Sequence, residues 1–164
     1  MTRLVVVLPL VPLRTGDSFL VPDWPPHITV LPPFHTDAPA AEIADAIAAA
    51  TAGQTVLSVT AAEDDLFGRR ENIPVTLIAP NPALAGLHRT LVDAVRPLAA
   101  APDEPAFTGP GFRAHVTVKR AGRVHQGDEF ELTQIALVDM APRSRPAGRA
   151  VLATLPLAPL RPPG

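Results

Sequence analysis

The sequence has no cysteine among its 164 residues. Disulfides, thiolate-ligated metals and thiol nucleophiles are therefore excluded. Compartment is not decided by this, since a reducing cytosol merely permits a cysteine-free chain. Charge is scarce as well: Asp, Glu, Lys and Arg make up 18% of the chain, against the roughly 25% usual for soluble domains. The net charge is -2 and the pI is near 6.2. Without a basic excess the chain has no means of holding a long duplex electrostatically; nucleic acid, if handled, is a short piece or an end. No apolar stretch approaches the roughly 20 residues of a membrane span. The opening Arg3-Leu4-Val5-Val6-Val7-Leu8-Pro9-Leu10 has the charge-then-apolar look of a signal peptide. Its apolar run is short, broken by Pro9 and Pro12, and followed by Arg14 with no small-x-small cleavage site. It reads instead as a buried strand of a soluble, cytoplasmic chain.

Hydrophobic residues are 47% of the sequence and mean hydropathy is +0.21, which excludes global disorder. The length suits one domain, or two half-size lobes sharing one core, with no need for a metal or disulfide staple. The 21 prolines form no low-complexity tract; most stand at the edges of apolar runs, where they end strands and stiffen loops. One domain is expected over 1–158, with a Pro-rich tail at 159–164.

Periodicity predicts strands at Arg3–Leu8 and His27–Leu31, joined by a loop through Gly16 and Pro22. Ala38–Ala52, with Ile43 and Ile47 four apart, reads as a short amphipathic helix stopped by Gly53. Strands follow at Gln54–Thr60 and Ile73–Ala79. Asn81-Pro82 then supplies a cap residue and a proline at the first helical position, opening a helix to about Leu98. Its Leu84, Leu87, Leu91, Val95 and Leu98 fall at helical spacing. Phe112–Lys119, Phe130–Asp139 and Arg149–Leu157 complete the strands. The order suggests an α+β fold of two pseudo-symmetric lobes, each a small antiparallel sheet with a helix packed outside.

One short internal repeat stands out: His27-Ile28-Thr29-Val30 against His115-Val116-Thr117-Val118. In an extended strand the side chains alternate, so His27 and Thr29 share one face and Ile28 and Val30 the other. The same holds for His115 and Thr117. Imidazole titrates near neutral pH, so one histidine can take a proton while its twin gives one. A threonine hydroxyl can donate to a non-bridging phosphate oxygen and fix the phosphorus between the imidazoles. That arrangement suits in-line displacement at a phosphodiester without a metal. Arg113 lies two residues before His115 and Lys119 two after Thr117, where either can share their face and stabilise phosphate charge.

With these residues the chain resembles the 2H phosphoesterases, which include bacterial 2'-5' RNA ligase-like proteins and RNA 2',3'-cyclic phosphodiesterases. The resemblance rests on both His-x-Thr-x motifs, on their spacing, and on the order of elements over roughly Arg3–Leu157. Leu66-Phe67-Gly68 also resembles a recurrent segment of that family, and Pro26 precedes the first histidine as is common there. Ala114 stands where a proline is usual before the second. The resemblance implies two lobes facing a central cleft that carries the two motif strands. It further implies metal-free, cofactor-free hydrolysis of 2',3'-cyclic phosphates on nucleotides or RNA ends, with 2'-5' RNA ligation as a related activity. His27 and His115 would be the acid–base pair, and Thr29, Thr117, Arg113 and Lys119 the substrate contacts. The expected form is a monomer acting on a nucleotide or short RNA terminus. A nucleotide-binding module with the same cleft and little turnover is the alternative.

Other features carry blander readings. Trp24, Phe34 and Phe112 lie near the motifs but read as packing residues. Arg69, Arg70 and Glu71 read as an exposed turn, His88 as a helix-surface residue, and Asp64-Asp65 and Asp103-Glu104 as solvated loop acids. His35 and His125 carry no motif. A zinc site is disfavoured by the lack of a third local ligand and of any His-Glu-x-x-His. No Gly-rich phosphate loop with a lysine and no Gly-x-Ser-x-Gly elbow occurs, which disfavours an ATP-dependent ligase or a serine hydrolase.

Overall fold

The computed structural model describes residues 1–100, 112–143 and 147–160. Among the described residues nine strands run β1 (Thr2–Pro9), β2 (Ser18–Leu20), β3 (His27–Thr36), β4 (Leu57–Phe67), β5 (Ile73–Ile78), β6 (His115–Thr117), β7 (Glu129–Leu132), β8 (Gln134–Asp139) and β9 (Gly148–Pro156). Helices α1 (Ala40–Ala50) and α2 (Pro82–Val95) lie between β3 and β4 and between β5 and β6. The strands form one antiparallel sheet in the order β2-β9-β8-β1-β3-β6-β5-β4-β7. The two small sheets expected from the sequence are thus joined through the β3–β6 pair, and the motif strands sit side by side at that junction. Asp103 and Glu104 lie outside the described residues, as do 161–164 of the proposed tail.

The sheet is strongly curled. β8 is third and β7 ninth in the order, so about 29 Å would separate them in a flat sheet at about 4.8 Å per strand. Yet Thr133 alone joins them. The seam is held by Leu157 N–H donating to Thr133 O at 2.9 Å and by a parallel bridge between Thr55 and Ala158. One continuous core fills the wrapped face, with Leu4, Val6 and Leu8 of β1, Ile28 and Val30 of β3 and Val116 of β6. The stripes of both helices, Ile43 and Ile47, then Leu84, Leu87, Leu91 and Val95, join it. The opposite face carries a smaller cluster of Val5, Val7, Leu13, Trp24, Ala136, Val138 and Val151. Among the described residues no helix is long and apolar enough to cross a membrane.

Several strands differ from the periodicity reading, each for a local reason. β3 continues past Leu31 through Pro32-Pro33, because two register shifts against β1 give it extra residues that need no ladder partner. The shift after Thr29 turns both Val30 and Leu31 into the large core while leaving His27 and Thr29 on the other face. The Phe130–Asp139 run is two strands broken at Thr133, because β7 pairs with β4 whereas β8 pairs with β1 and β9. β4 extends through the acids to Phe67, so Asp64 and Asp65 stand on a strand rather than in a loop. β2 occupies part of the expected loop, on the sheet edge.

Candidate active site

The site begins with the β3–β6 ladder. Ile28 pairs with Val116, and antiparallel register then places His27 across from Thr117 and Thr29 across from His115. Each imidazole is next to the other strand's hydroxyl, with the histidines on one diagonal and the threonines on the other. On the flanks Val7 pairs with Thr29 and Val75 with Thr117, so both motifs have a valine neighbour in equivalent positions. Ile28 and Val116 point into the core at 0% and 1% exposure, anchoring the two polar pairs on the other face. His27 is buried, while Thr29, His115 and Thr117 are half-buried.

Both imidazoles are oriented the same way. His27 Nδ1 lies 2.8 Å from Pro25 O and His115 Nδ1 lies 2.9 Å from Arg113 O, each carbonyl two residues upstream. A carbonyl can only accept, so Nδ1 carries the proton and Nε2 of each neutral ring keeps its lone pair for chemistry. Ring contacts hold the planes: Trp24 stacks on His27 at 3.8 Å and Phe67 meets His115 edge-on at 4.6 Å. Phe67 reaches that position at the end of β4, where Gly68 turns the chain at φ 91°, a conformation that disfavours a side chain. Neither Thr29 nor Thr117 spends its hydroxyl on a partner among the described residues.

Electrostatics separate the halves. Burial pushes the His27 imidazole down to about 4, with Lys119, His115 and Arg149 adding repulsion against the cation. The Pro25 carbonyl opposes that shift. His115 is also held below its ordinary value, chiefly by burial and then by the Arg113 charge. Burial, followed by the nearby Arg149, lowers the Lys119 ammonium. Both rings are therefore disposed to be neutral until a negative charge arrives between them.

The structure brings the six sequence-derived residues to one region but commits two differently. Lys119 sits by His27, its Nζ 3.4 Å from Val21 O and 5.8 Å from the Trp24 ring centroid. Arg113 sits by His115 but spends its guanidinium on Asp65 at 3.2 Å and on the Phe67 face at 5.0 Å. Trp24 and Phe34 are packing residues, at 5% and 0% exposure. Phe112 likewise packs, stacked at 4.4 Å on His88. His88 is not on the helix surface as expected: it is half-buried, with Nδ1 2.7 Å from Val30 O, because it lies on the side of α2 that meets β3. Sequence reasoning missed Arg149, whose Cζ is 5.6 Å from the Trp24 ring. No local motif marks it, since it reaches the site through strand order. Among the described residues no group of three or more His, Asp or Glu side chains is arranged to hold a metal ion.

Solved structures share the fold at low identity. A crystallised phosphoesterase is 18% identical, with a TM-score of 0.57 over 96% of this chain and 99% of the other. Escherichia coli LigT complexed with 3'-AMP is 16% identical, with a TM-score of 0.57 over 95% and 98%. A Thermus thermophilus protein is 16% identical, with a TM-score of 0.62 over 98% and 100%. No curated protein matches the chain. Residues 10–141 match the family model of the 2'-5' RNA ligase superfamily, and the chain belongs to that superfamily.

Proposed function

We propose that the chain is a metal-independent phosphodiesterase that opens 2',3'-cyclic phosphates of nucleotides or RNA ends. The reading is carried by the two imidazoles on adjacent strands, each with Nδ1 tied to the carbonyl two residues back and Nε2 left for proton transfer. In this reading Nε2 of one histidine takes a proton from water as its oxygen attacks phosphorus. Nε2–H of the other gives a proton to the departing ribose oxygen, so one P–O bond forms and one breaks. The pair ends with its protons exchanged, and solvent restores them. The Thr29 and Thr117 hydroxyls donate to the non-bridging oxygens, Lys119 supplies positive charge from the His27 end, and Arg113 borders the substrate at the His115 end with its charge shared with Asp65. The anion favours the protonated imidazole, countering the depressed resting state.

Ligation of RNA ends through a 2'-5' bond uses the same pair, with a ribose hydroxyl replacing water. The nucleotide class is supported by the superfamily and by the 3'-AMP held by Escherichia coli LigT. Both motifs come from one chain, which supports a monomer as the working unit, and the reading places it in the cytoplasm. Incubation with adenosine 2',3'-cyclic phosphate, followed by chromatography, tests the proposal. His27→Ala and His115→Ala should each lower turnover by about 10²–10⁴-fold while circular dichroism stays unchanged. A folded variant within about threefold of wild type would remove that histidine from the mechanism.

A further inference from the structure

Arg149 has no part in the proton transfers above. It stands on β9 two residues before Val151, which belongs to the cluster with Val5, Val7 and Trp24, so alternation puts it on the motif face. The Trp24 indole gathers three groups: His27 stacked at 3.8 Å, Lys119 Nζ at 5.8 Å and Arg149 Cζ at 5.6 Å. Arg149 Nη1 donates to Met140 O at 2.9 Å and Gly148 O at 3.0 Å, which fixes the plane of the guanidinium. Its Nε is buried without a partner, and Nη2 makes no hydrogen bond among the described residues. Among the described residues the Lys119 ammonium makes only the long hydrogen bond to Val21 O.

Counter-ions distinguish this pair from Arg113, Arg120 and Arg123, and burial distinguishes it from Arg3, whose charge also reaches Arg149 but which is exposed. Arg113, Arg120 and Arg123 each reach a carboxylate, at 3.2, 2.8 and 3.0 Å. Among the described residues neither Lys119 nor Arg149 has a carboxylate within 4.0 Å, in a chain with 16 acidic residues. Two half-buried cations beside one apolar ring repel each other, and each resists desolvation. An anion received between them removes both costs, and a phosphate oxygen matches the hydrogen-bonding edge of a guanidinium.

We infer that Lys119 and Arg149 form a subsite for a second phosphate of the substrate, on the His27 side of the scissile phosphodiester. The inference rests on the phosphodiesterase reading for what lies between the histidines, and it narrows the substrate class. The preferred substrate is a nucleotide carrying one more phosphate group, either a terminal phosphomonoester or the next internucleotide phosphodiester, over a bare nucleoside cyclic phosphate. Arg113, neutralised by Asp65, offers no matching subsite beside His115.

Calorimetric titration of the full chain tests this with three ligands that are not turned over. These are adenosine 3'-monophosphate, adenosine 3',5'-bisphosphate, and a diadenosine carrying an internucleotide phosphate and a 3'-phosphate. At low salt at least one of the two ligands with an extra phosphate should bind about tenfold or more tighter than the monophosphate. Which of them gains the affinity tells whether the added group is terminal or internucleotide. Arg149→Gln should bring that ratio below about threefold. Lys119→Met, just beyond the end of β6, reads the same ratio should the Arg149 variant not fold. A wild-type ratio below about threefold for both ligands, or a ratio untouched by the substitutions, would overturn the subsite. Passing this test while leaving cyclic phosphates intact would refute the hydrolysis reading alone.

Discussion

At the scale of single residues, His27 combines two demands that oppose each other. It is buried under Trp24, which fixes its ring, and that burial holds the imidazole at about 4 instead of the ordinary 6.5. The unfolded chain takes up this proton near pH 6.5 and the folded chain only near pH 4. The contribution is therefore fully present above pH 6.5 and lost as pH falls through that window. The loss is on the order of 3 kcal/mol. Urea titrations should show stability declining from pH 6.5 to 4, and His27→Asn should flatten that decline. A slope unchanged by the substitution would show that other groups set it. The threonines carry a second expectation. Thr29→Val and Thr117→Val keep shape and remove only a hydroxyl, so kcat/KM should fall about 10–100-fold, as expected for a hydrogen bond to a charged group, with stability nearly unchanged. The motif residues were legible because a period-two pattern repeated in two places states both the residue types and their common face. Arg149 was not, since nothing within β9 says that Trp24 will lie against it.

Elements show the same division. Helix α2 was written plainly: Asn81 caps it by accepting from Leu84 N–H at 3.0 Å, Pro82 opens it, and four core residues follow at helical spacing. Asn81 also donates from Nδ2 to Ser58 O at 2.8 Å, which ties the helix start to β4. Asn81→Ala should therefore cost about 1–2 kcal/mol in chemical denaturation, at the upper end for a cap. Strand limits were harder to read. Pro32-Pro33 looked like a terminator, yet bulges let β3 continue through them. The acids of β4 looked like a loop, yet Asp64 accepts from Thr76 at 2.8 Å and pairs with Arg123 at 3.0 Å. These partners come from β5 and from the stretch before β7, and long-range pairing of that kind leaves no trace in local periodicity.

On the scale of the whole molecule, closure of the sheet sets the frame for the site. The β7–β8 crossing at Thr133 and the Thr55–Ala158 bridge bring the flanks together, and β3 and β6 lie midway between them. Leu157, 7% exposed, belongs to the large core beside this seam. Leu157→Ala should cost about 2–4 kcal/mol as a buried truncation and weaken the β7–β8 crossing. Hydrogen exchange should show faster opening at β7 and the end of β9 than at β1 and β3, whereas uniform acceleration would mean the seam does not open independently. The α+β class, the helices and the repeated motif were readable in sequence, whereas the strand order that makes β3 and β6 neighbours was not. The curl was not, because Phe130–Asp139 reads as one apolar run until its two halves are seen to pair with opposite flanks.

If two histidines on neighbouring strands work on a phosphodiester without a metal, chelation leaves turnover intact and loss of either imidazole abolishes it. Phosphorus NMR of the purified chain with a nucleoside 2',3'-cyclic phosphate in excess EDTA tests this most directly, beside the His27→Ala and His115→Ala variants. The wild type should replace the cyclic signal by a single phosphomonoester, whose shift reports the bond broken, while both variants leave the substrate unchanged. A wild-type sample that leaves the cyclic signal intact, or variants that convert it at the wild-type rate, would contradict the metal-free paired-histidine mechanism.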